Sequence, residues 1–385
     1  MQLLQEFKLI FIVLVLVSKI LCFCENSYIV ICDDLEDIKQ NETTSWKYVL
    51  IGSSQTNYER PNNILDGSVT LSLARTKSLT IINQLKLIRT PISIVRENYL
   101  EYLNLYDNDI NEIDDYTFQN LPNLKEVYLE RNKIGHLGRG IFQNTTLEVV
   151  NLSRNRIKSI TTCFYHSKIK WILLNENKIS FIKPRAFPQE VEQLELNDNL
   201  LESIEGTVFE NLHNLKELFL QRNLLTQIPD ISALKKIHYL HFAYNNMKLV
   251  HYPFNNHKDL EFLDLSSNLI KNVTVEVFSS DRTPPLVLLP FNRLTNLKFN
   301  NPERKTDLVL YGNPWNCDCL FRIEKILVTH KHYKSCEFDF FRNGRLPMCV
   351  GSGKCEDDSV ESNDIKNFID MIISCEDRSL CNFRL

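Results

Sequence analysis

Glycine is scarce, ten in 385 residues, which excludes a linker-rich or disordered chain, and no low-complexity tract is present. Excess charge is missing as well. A formal net charge of −4 and a sequence pI near 6.2 give neither the basic footprint of nucleic-acid binding nor a strongly basic membrane face. Beyond the N-terminal segment no apolar run approaches the roughly 20 residues of a membrane-spanning helix, the nearest being Leu286 to Leu289. The terminal CEDRSLCNFRL lacks the hydrophobic tail of a lipid-anchor signal. Signatures of catalysis are absent: no GxSxG, HExxH, GxxxxGK[ST] or GxGxxG, and no Cys/His pair in nucleophile context. The expectation is a protein without catalytic residues, cofactor or metal site.

What is present first is an N-terminal apolar run, Phe7 to Leu21, broken only by Lys8, Ser18 and Lys19. It reads as a secretory signal peptide, with Cys22 and Cys24 small enough for the −3 and −1 sites and cleavage expected after Cys24. The alternative, an uncleaved anchor, is short for a bilayer span. A secreted, extracellular protein is expected.

The dominant feature is a line written eleven times between Ile82 and Asn313. Leucine-like residues stand at positions one, four and six, an Asn at nine and another apolar residue at eleven; Leu215, Leu218, Leu220, Asn223 and Leu225 make one copy. The ninth positions are Thr90, Asn108, Asn132, Asn155, Asn177, Asn199, Asn223, Asn245, Asn268, Asn292 and Asn313, 18 to 24 residues apart. A unit of this size cannot bury its own apolar face, so copies must stack into a quasi-one-dimensional solenoid. Positions three to seven alternate apolar and polar, as in Gln193, Leu194, Glu195, Leu196 and Asn197, which predicts one short strand per copy and a parallel sheet. The Asn amide can donate and accept toward backbone groups that would otherwise be buried unpaired. Phe118, Phe142, Phe187, Phe209 and Phe278, with Phe164 and Phe254 one residue early, fill the return side. Pro284, Pro285 and Pro290 mark the copy ending at Asn292 as irregular, and a weaker copy at Leu71, Leu73 and Thr76 would add a twelfth strand.

The pattern LxxLxLxxNxIxxIxxxxF, over residues 82–316, resembles the extracellular, typical subclass of the leucine-rich repeat family. The resemblance implies an α/β solenoid: a curved horseshoe with a parallel concave sheet, an irregular or 3-10 convex side, and a disulfide-rich helical C-terminal cap. After Asn313 the run Pro314-Trp315-Asn316-Cys317-Asp318-Cys319, followed by Cys336, Cys349, Cys355, Cys375 and Cys381, is similar to the family's cysteine-rich flanking module. By that resemblance Cys317 pairs with Cys336, and Cys319 with Cys349 or Cys355; the surplus cysteines leave further pairing open. A zinc site at Cys317, Cys319, His330 and His332 is the alternative, disfavoured because CxC with HxH is not the usual metal-ligand spacing and because an oxidising compartment favours disulfides. The expected domains are 1–24 signal peptide, 25–81 N-terminal cap, 82–313 repeats and 314–385 C-terminal cap. In the N-terminal cap only Cys32 stands, and Ser45 to Ile51 would supply an edge strand, as in some insect secreted relatives. Nine cysteines remain after cleavage, so one is free, Cys163 being the candidate, or an intermolecular disulfide through Cys381 or Cys32 links a dimer.

Positions three and five of each strand point away from the core and line the concave side. Two aromatic groups stand there without need from the fold: Tyr102, Tyr106, Tyr128 and, farther along, Trp171; and Phe219, Tyr239, His241, Tyr244 and Phe262. They are the candidate ligand-binding residues, since exposed aromatic patches anchor protein interfaces, although mutual packing explains the first group equally well. Glu176, Glu195 and Asp198 form an acidic band. Sequons occur at Asn41, Asn144, Asn151 and Asn272, and Asn151 falls on the concave face. The expected partner is an extracellular protein or glycan, in immunity or adhesion. The alternatives are a self-associating matrix component or an inhibitor of a secreted hydrolase.

Overall fold

The computed structural model describes residues 77–82, 99–119, 121–250, 254–273, 286–297, 307–310 and 312–316, together with short strands at 29–32, 48–52, 64–65, 87–88 and 349–351. The chain divides between Ile172 and Leu173 into two compact units. Each is a parallel β-solenoid, and among the described residues the only helical turns are two 3-10 turns, Gly206–Val208 and Phe254–Asn256.

The first unit carries strands β1 (Ile29–Cys32), β2 (Tyr48–Gly52), β3 (Ser78–Ile82), β4 (Tyr102–Asn104), β5 (Glu126–Tyr128), β6 (Val149–Asn151) and β7 (Trp171–Leu173), the last at its boundary. The second carries β8 (Gln193–Glu195), β9 (Glu217–Phe219), β10 (Tyr239–His241), β11 (Phe262–Asp264), β12 (Leu286–Leu288) and β13 (Asp307–Val309). Strands consecutive in each unit pair in parallel register, for example Leu218 with Leu240 and Leu240 with Leu263. The central residue of β4, β5, β6, β8, β9, β10, β11 and β12 is buried while its neighbours are partly or fully open, so the alternation read from the sequence is the alternation of faces.

The asparagine ladder closes the backbone inventory. In the first unit Asn132 Nδ2 donates to Leu105 and Leu129 carbonyls, each at 2.9 Å, and its Oδ1 accepts from Ile110 N at 3.0 Å. Asn223 repeats this in the second unit, with Leu196 at 2.9 Å, Leu220 at 3.1 Å and Leu201 N at 3.0 Å. Each amide thus satisfies two carbonyls and an N–H inside the core, where an unpaired group costs ~1–3 kcal/mol. On the return side the phenylalanines pack as expected, with Phe142 stacked on Phe118 at 6.0 Å and on Phe164 at 5.1 Å. Cys163 is fully buried, and burial pushes its thiol up to about 12, so it behaves as a small apolar residue.

Two features escaped the sequence pattern. Just before each ladder asparagine the backbone turns left-handed, at Asp107, Arg131, Arg154, Glu176, Asp198, Arg222, Tyr244, Ser267 and Phe291, with φ between 52° and 56°. Only at Gly312 is the residue a glycine; there a Cβ would come within 2.6 Å of the Phe291 ring. The reward is a further inter-coil bond, such as Arg222 N to Ala243 O at 2.9 Å, which offsets the left-handed cost. Position two carries a second regularity. Lys77, Glu101, Lys125, Glu148 and Lys170 alternate in the first unit and join as ion pairs, Lys77–Glu101 at 2.9 Å, Lys125–Glu101 at 3.1 Å and Lys170–Glu148 at 2.8 Å. In the second unit Glu192 pairs with Lys216 at 2.6 Å. Exposed pairs of this kind contribute little individually, but the alternation penalises a slipped register.

The start of the repeat array differs from the expectation. Ser78, Leu79 and Thr80 pair with Tyr102, Leu103 and Asn104, and Asn108 Nδ2 donates to Ile81 O at 2.7 Å. The first coil therefore keeps a 24-residue step and begins near Lys77; Leu79 and Ile81, both fully buried, take positions four and six. Ser78 and Thr80 occupy the face positions beside Tyr102 and Asn104. Directly beside β3 lies β2, with Tyr48 opposite Ser78; Leu71, Leu73 and Thr76 lie outside the described residues. The edge strand expected at Ser45 to Ile51 corresponds to β2, but β1 pairs outside it, Ile29 opposite Tyr48. The coil ending at Asn292 is regular where described: β12 pairs on both sides, and Pro290 contributes only its carbonyl, to Ser267 N at 2.9 Å and Asn292 Nδ2 at 3.3 Å. Thr90, Phe278, Pro284 and Pro285 lie outside the described residues.

Candidate functional site

Parallel pairing places equivalent residues of adjacent coils about 4.8 Å apart, so each face position becomes a row. In the second unit row three reads Gln193, Glu217, Tyr239, Phe262, Leu286, Asp307, and row five reads Glu195, Phe219, His241, Asp264, Leu288, Val309. His241 stacks on Phe219 with centroids 4.6 Å apart and 10° between planes, and tilts against Phe262 at 5.1 Å. Burial depresses its proton affinity, opposed by the nearby Asp264 carboxylate. Tyr239 is 38% exposed and donates its hydroxyl to Glu261 Oε2 at 3.0 Å. Tyr244 is set apart: it occupies the left-handed turn, 55% exposed, with the Arg222 guanidinium 5.1 Å from its ring centre.

The first unit assembles a different group. The Tyr102 and Tyr128 rings meet at 5.0 Å, Tyr128 donates to Glu126 Oε2 at 2.9 Å, and Arg131 caps Tyr106 through both its ring and its hydroxyl. Burial and the carboxylates Glu130 and Glu126 push Tyr102 up to about 12, and burial with Glu126 raises Tyr128 further still. Burial also pushes Glu130 up to about 7, against the pull of Arg154, and its Oε2 is buried with no hydrogen-bond partner. Trp171 stands away from these rings, 49% exposed, with Val149 and Asn151 on the intervening strand.

Residues 98–157, 122–179 and 189–247 match the family model described as leucine rich repeat. These residues carry leucine-rich repeats, and the fold is the leucine-rich repeat solenoid. The chain is 28% identical to podocan of Mus musculus over 250 residues, which take in 61% of this chain and 37% of podocan. To nephrocan of Mus musculus it is 30% identical over 132 residues, 33% of this chain and 26% of nephrocan. The chain thus spans well under half the length of these relatives. Among solved structures, a chain of the Toll–Spatzle complex of Drosophila superposes with a TM-score of 0.52 at 18% identity, over 73% of this chain and 46% of that one. A chain from the octameric complex of Latrophilin 3, Unc5D and FLRT2 gives 0.50 at 21% identity, over 62% and 77%. These likenesses identify the leucine-rich repeat fold.

Within that fold the candidate residues separate. Phe219, His241 and Phe262 come together, with Tyr239 beside Phe262 in its row; Tyr102 and Tyr128 come together in the other unit; Trp171 and Tyr244 join neither cluster. The face also contains residues the aromatic criterion overlooked: Leu286, 39% exposed, with Leu288 and Val309, continues the apolar surface over two further strands. Their signal was in the rows themselves, as aliphatic side chains at outward positions. Of the sequons, Asn144 is exposed, whereas Asn151 is half-buried and accepts from Ser153 N at 3.0 Å and Ser153 Oγ at 2.7 Å. Asp264 makes the same turn with Ser266, so Asn-Leu-Ser here also serves to end a strand. Asn272 is half-buried, and Asn41 lies outside the described residues. So do Cys317, Cys319, Cys336, Cys355, Cys375 and Cys381; Cys349 opens a strand, Cys349–Gly351, parallel to Trp315–Asn316. Among the described residues no group of three or more His, Cys, Asp or Glu could hold a metal, and no helix is long and apolar enough to cross a membrane.

Proposed function

We propose that this leucine-rich repeat protein is a secreted, non-catalytic recognition module. It binds an extracellular protein through the solvent face of β9 to β13, anchored on Phe219, His241 and Phe262 and flanked by Tyr239, Leu286 and Leu288. The observation that carries the reading is the patch of rings and aliphatic side chains, spread over rows three and five with Asp264 among them, on a face where the repeat demands nothing apolar. Ring stacks of this sort are well suited to be interface anchors, because their side chains are already ordered before a partner arrives. The cysteine-rich segment from Cys317 belongs to the same proposal as a disulfide-held cap, and Asn144 as the most accessible glycan acceptor among the described residues. Linkage of two copies by a disulfide would show as a mobility difference between non-reducing and reducing gels.

The test starts from the full secreted chain, crosslinked in extracellular fluid and analysed by mass spectrometry to recover its partner. Affinity for that partner is then measured for the chain carrying Phe219→Ala, Tyr239→Ala and Phe262→Ala together. A loss of at least about a hundredfold, with Tm shifted by no more than a few degrees, is the expected result. Undiminished affinity would assign the partner to another surface.

A further inference from the structure

The proposed binding face carries charge of one sign. On β8 to β11 the outward positions three and five hold Glu195, Glu217 and Asp264 and no lysine or arginine. Glu195 lies directly opposite Phe219 in the strand register, and Glu217 precedes Phe219 by two residues on the same face, so the outermost ring of the stack sits between two carboxylates. Burial raises Glu195 above its ordinary value, opposed by the hydrogen bond from Gln193 Nε2 at 2.8 Å and assisted to a smaller extent by the charge of Glu217. The neighbouring cations are engaged along the two rims. Lys216 pairs with Glu192 at 2.6 Å, and Arg222 lies against the Tyr244 ring and 3.9 Å from Asp198.

A half-buried carboxylate repelled by its neighbour, beside the face of an aromatic ring, is a seat for a cation: the ring quadrupole and both carboxylates favour positive charge at one place. Resting on the protein-binding reading above, we propose that the occupant is a protein segment presenting an arginine or lysine next to apolar side chains. The basic group lies over Phe219 between Glu195 and Glu217, and the apolar side chains cover His241, Phe262 and Leu286. Asp264, within the apolar patch, favours a second basic residue farther along the same segment. An acidic or purely apolar segment would leave these carboxylates desolvated and unpaired, which is the basis of discrimination.

The probe is a displayed library of random twelve-residue peptides, selected against the full secreted chain in the presence of EDTA and counter-selected against the Phe219→Ala, Tyr239→Ala, Phe262→Ala chain. The expected result is enrichment of peptides with Arg or Lys within two residues of an aromatic or aliphatic side chain. Their affinity should fall about tenfold or more in Glu195→Gln, Glu217→Gln, and weaken as salt rises from 0.15 to 0.5 M, while Tm stays within a few degrees. Selection against Glu195→Lys, Glu217→Lys should turn the enriched charge acidic. Peptides that need Phe219 and Phe262 but carry no basic residue, and bind the Gln variant equally well, would overturn the charge inference while leaving protein binding at this face intact. No enrichment that depends on the three rings would overturn both.

Discussion

The two aromatic groups on the solvent face look alike in a list of residues and differ in what their atoms are committed to. In the first unit Tyr128 donates to Glu126, Arg131 engages Tyr106, and Tyr102 packs on Tyr128, so both rings and hydroxyls are used internally. In the second, Phe219, His241 and Phe262 stack on one another and continue into Leu286, Leu288 and Val309, with no comparable polar network to satisfy. The tyrosine hydroxyls and rings of the first unit are accounted for by contacts within the fold. In the second unit only Tyr239 of the aromatic patch has such a polar partner, Glu261, and the phenylalanine and aliphatic side chains at outward positions are what the proposed partner would cover. On the proposed reading, the difference separates a structural cluster from a recognition surface.

The comparison breaks most visibly in binding. Tyr102→Ala with Tyr128→Ala should leave partner affinity within about threefold while lowering stability, the reverse of the alanine triple in the other unit; equal losses from both would erase the distinction. Next in size is the ladder, which serves both units in the same way. Asn132→Ala and Asn223→Ala should each cost about 2–4 kcal/mol in denaturant unfolding, because each strands carbonyls and an N–H in the core. A cost under about 0.5 kcal/mol for either would mean that water replaces the amide.

A smaller effect follows from Glu130, which belongs to the structural cluster alone. Burial raises it to about 7, so the folded chain holds a proton that the unfolded chain releases near 4.5, and this group lowers stability as pH rises between those values. Glu130→Gln should remove that decline and stabilise the protein by on the order of 2 kcal/mol near pH 7.5, measured as Tm against pH. A parallel pH profile for the variant would show that the carboxylate is solvated. The smallest change is Glu101→Gln, which breaks the exposed Lys77 and Lys125 pairs; the expected cost is below about 1 kcal/mol and should vanish in 1 M salt.

Much of the scaffold could be read before any coordinates, because ten asparagines at intervals of 21 to 24 residues admit one stacking. The first coil could not. Ile82, Leu85, Leu87 and Thr90 fit the pattern as well as Leu79, Ile81 and their neighbours, and the choice was made by five consecutive pairs with β2, Tyr48 to Ser78 through Gly52 to Ile82. The left-handed turn was hidden for another reason: glycine usually announces it, and here arginine, aspartate, tyrosine and phenylalanine take it, held by bonds from the next coil. The proposed binding face was half visible. Its aromatics stood out by type, whereas Leu286, Leu288 and Val309 are marked only by their outward place in the repeat, not by residue type.

By itself, then, the sequence determined the repeat, its core positions and its ladder, because periodic burial leaves a periodic record. Only the tertiary structure decided which outward residues meet. Whether two residues 22 or 23 positions apart stack, repel or pair depends on strand register, and that register belongs to the assembled coils.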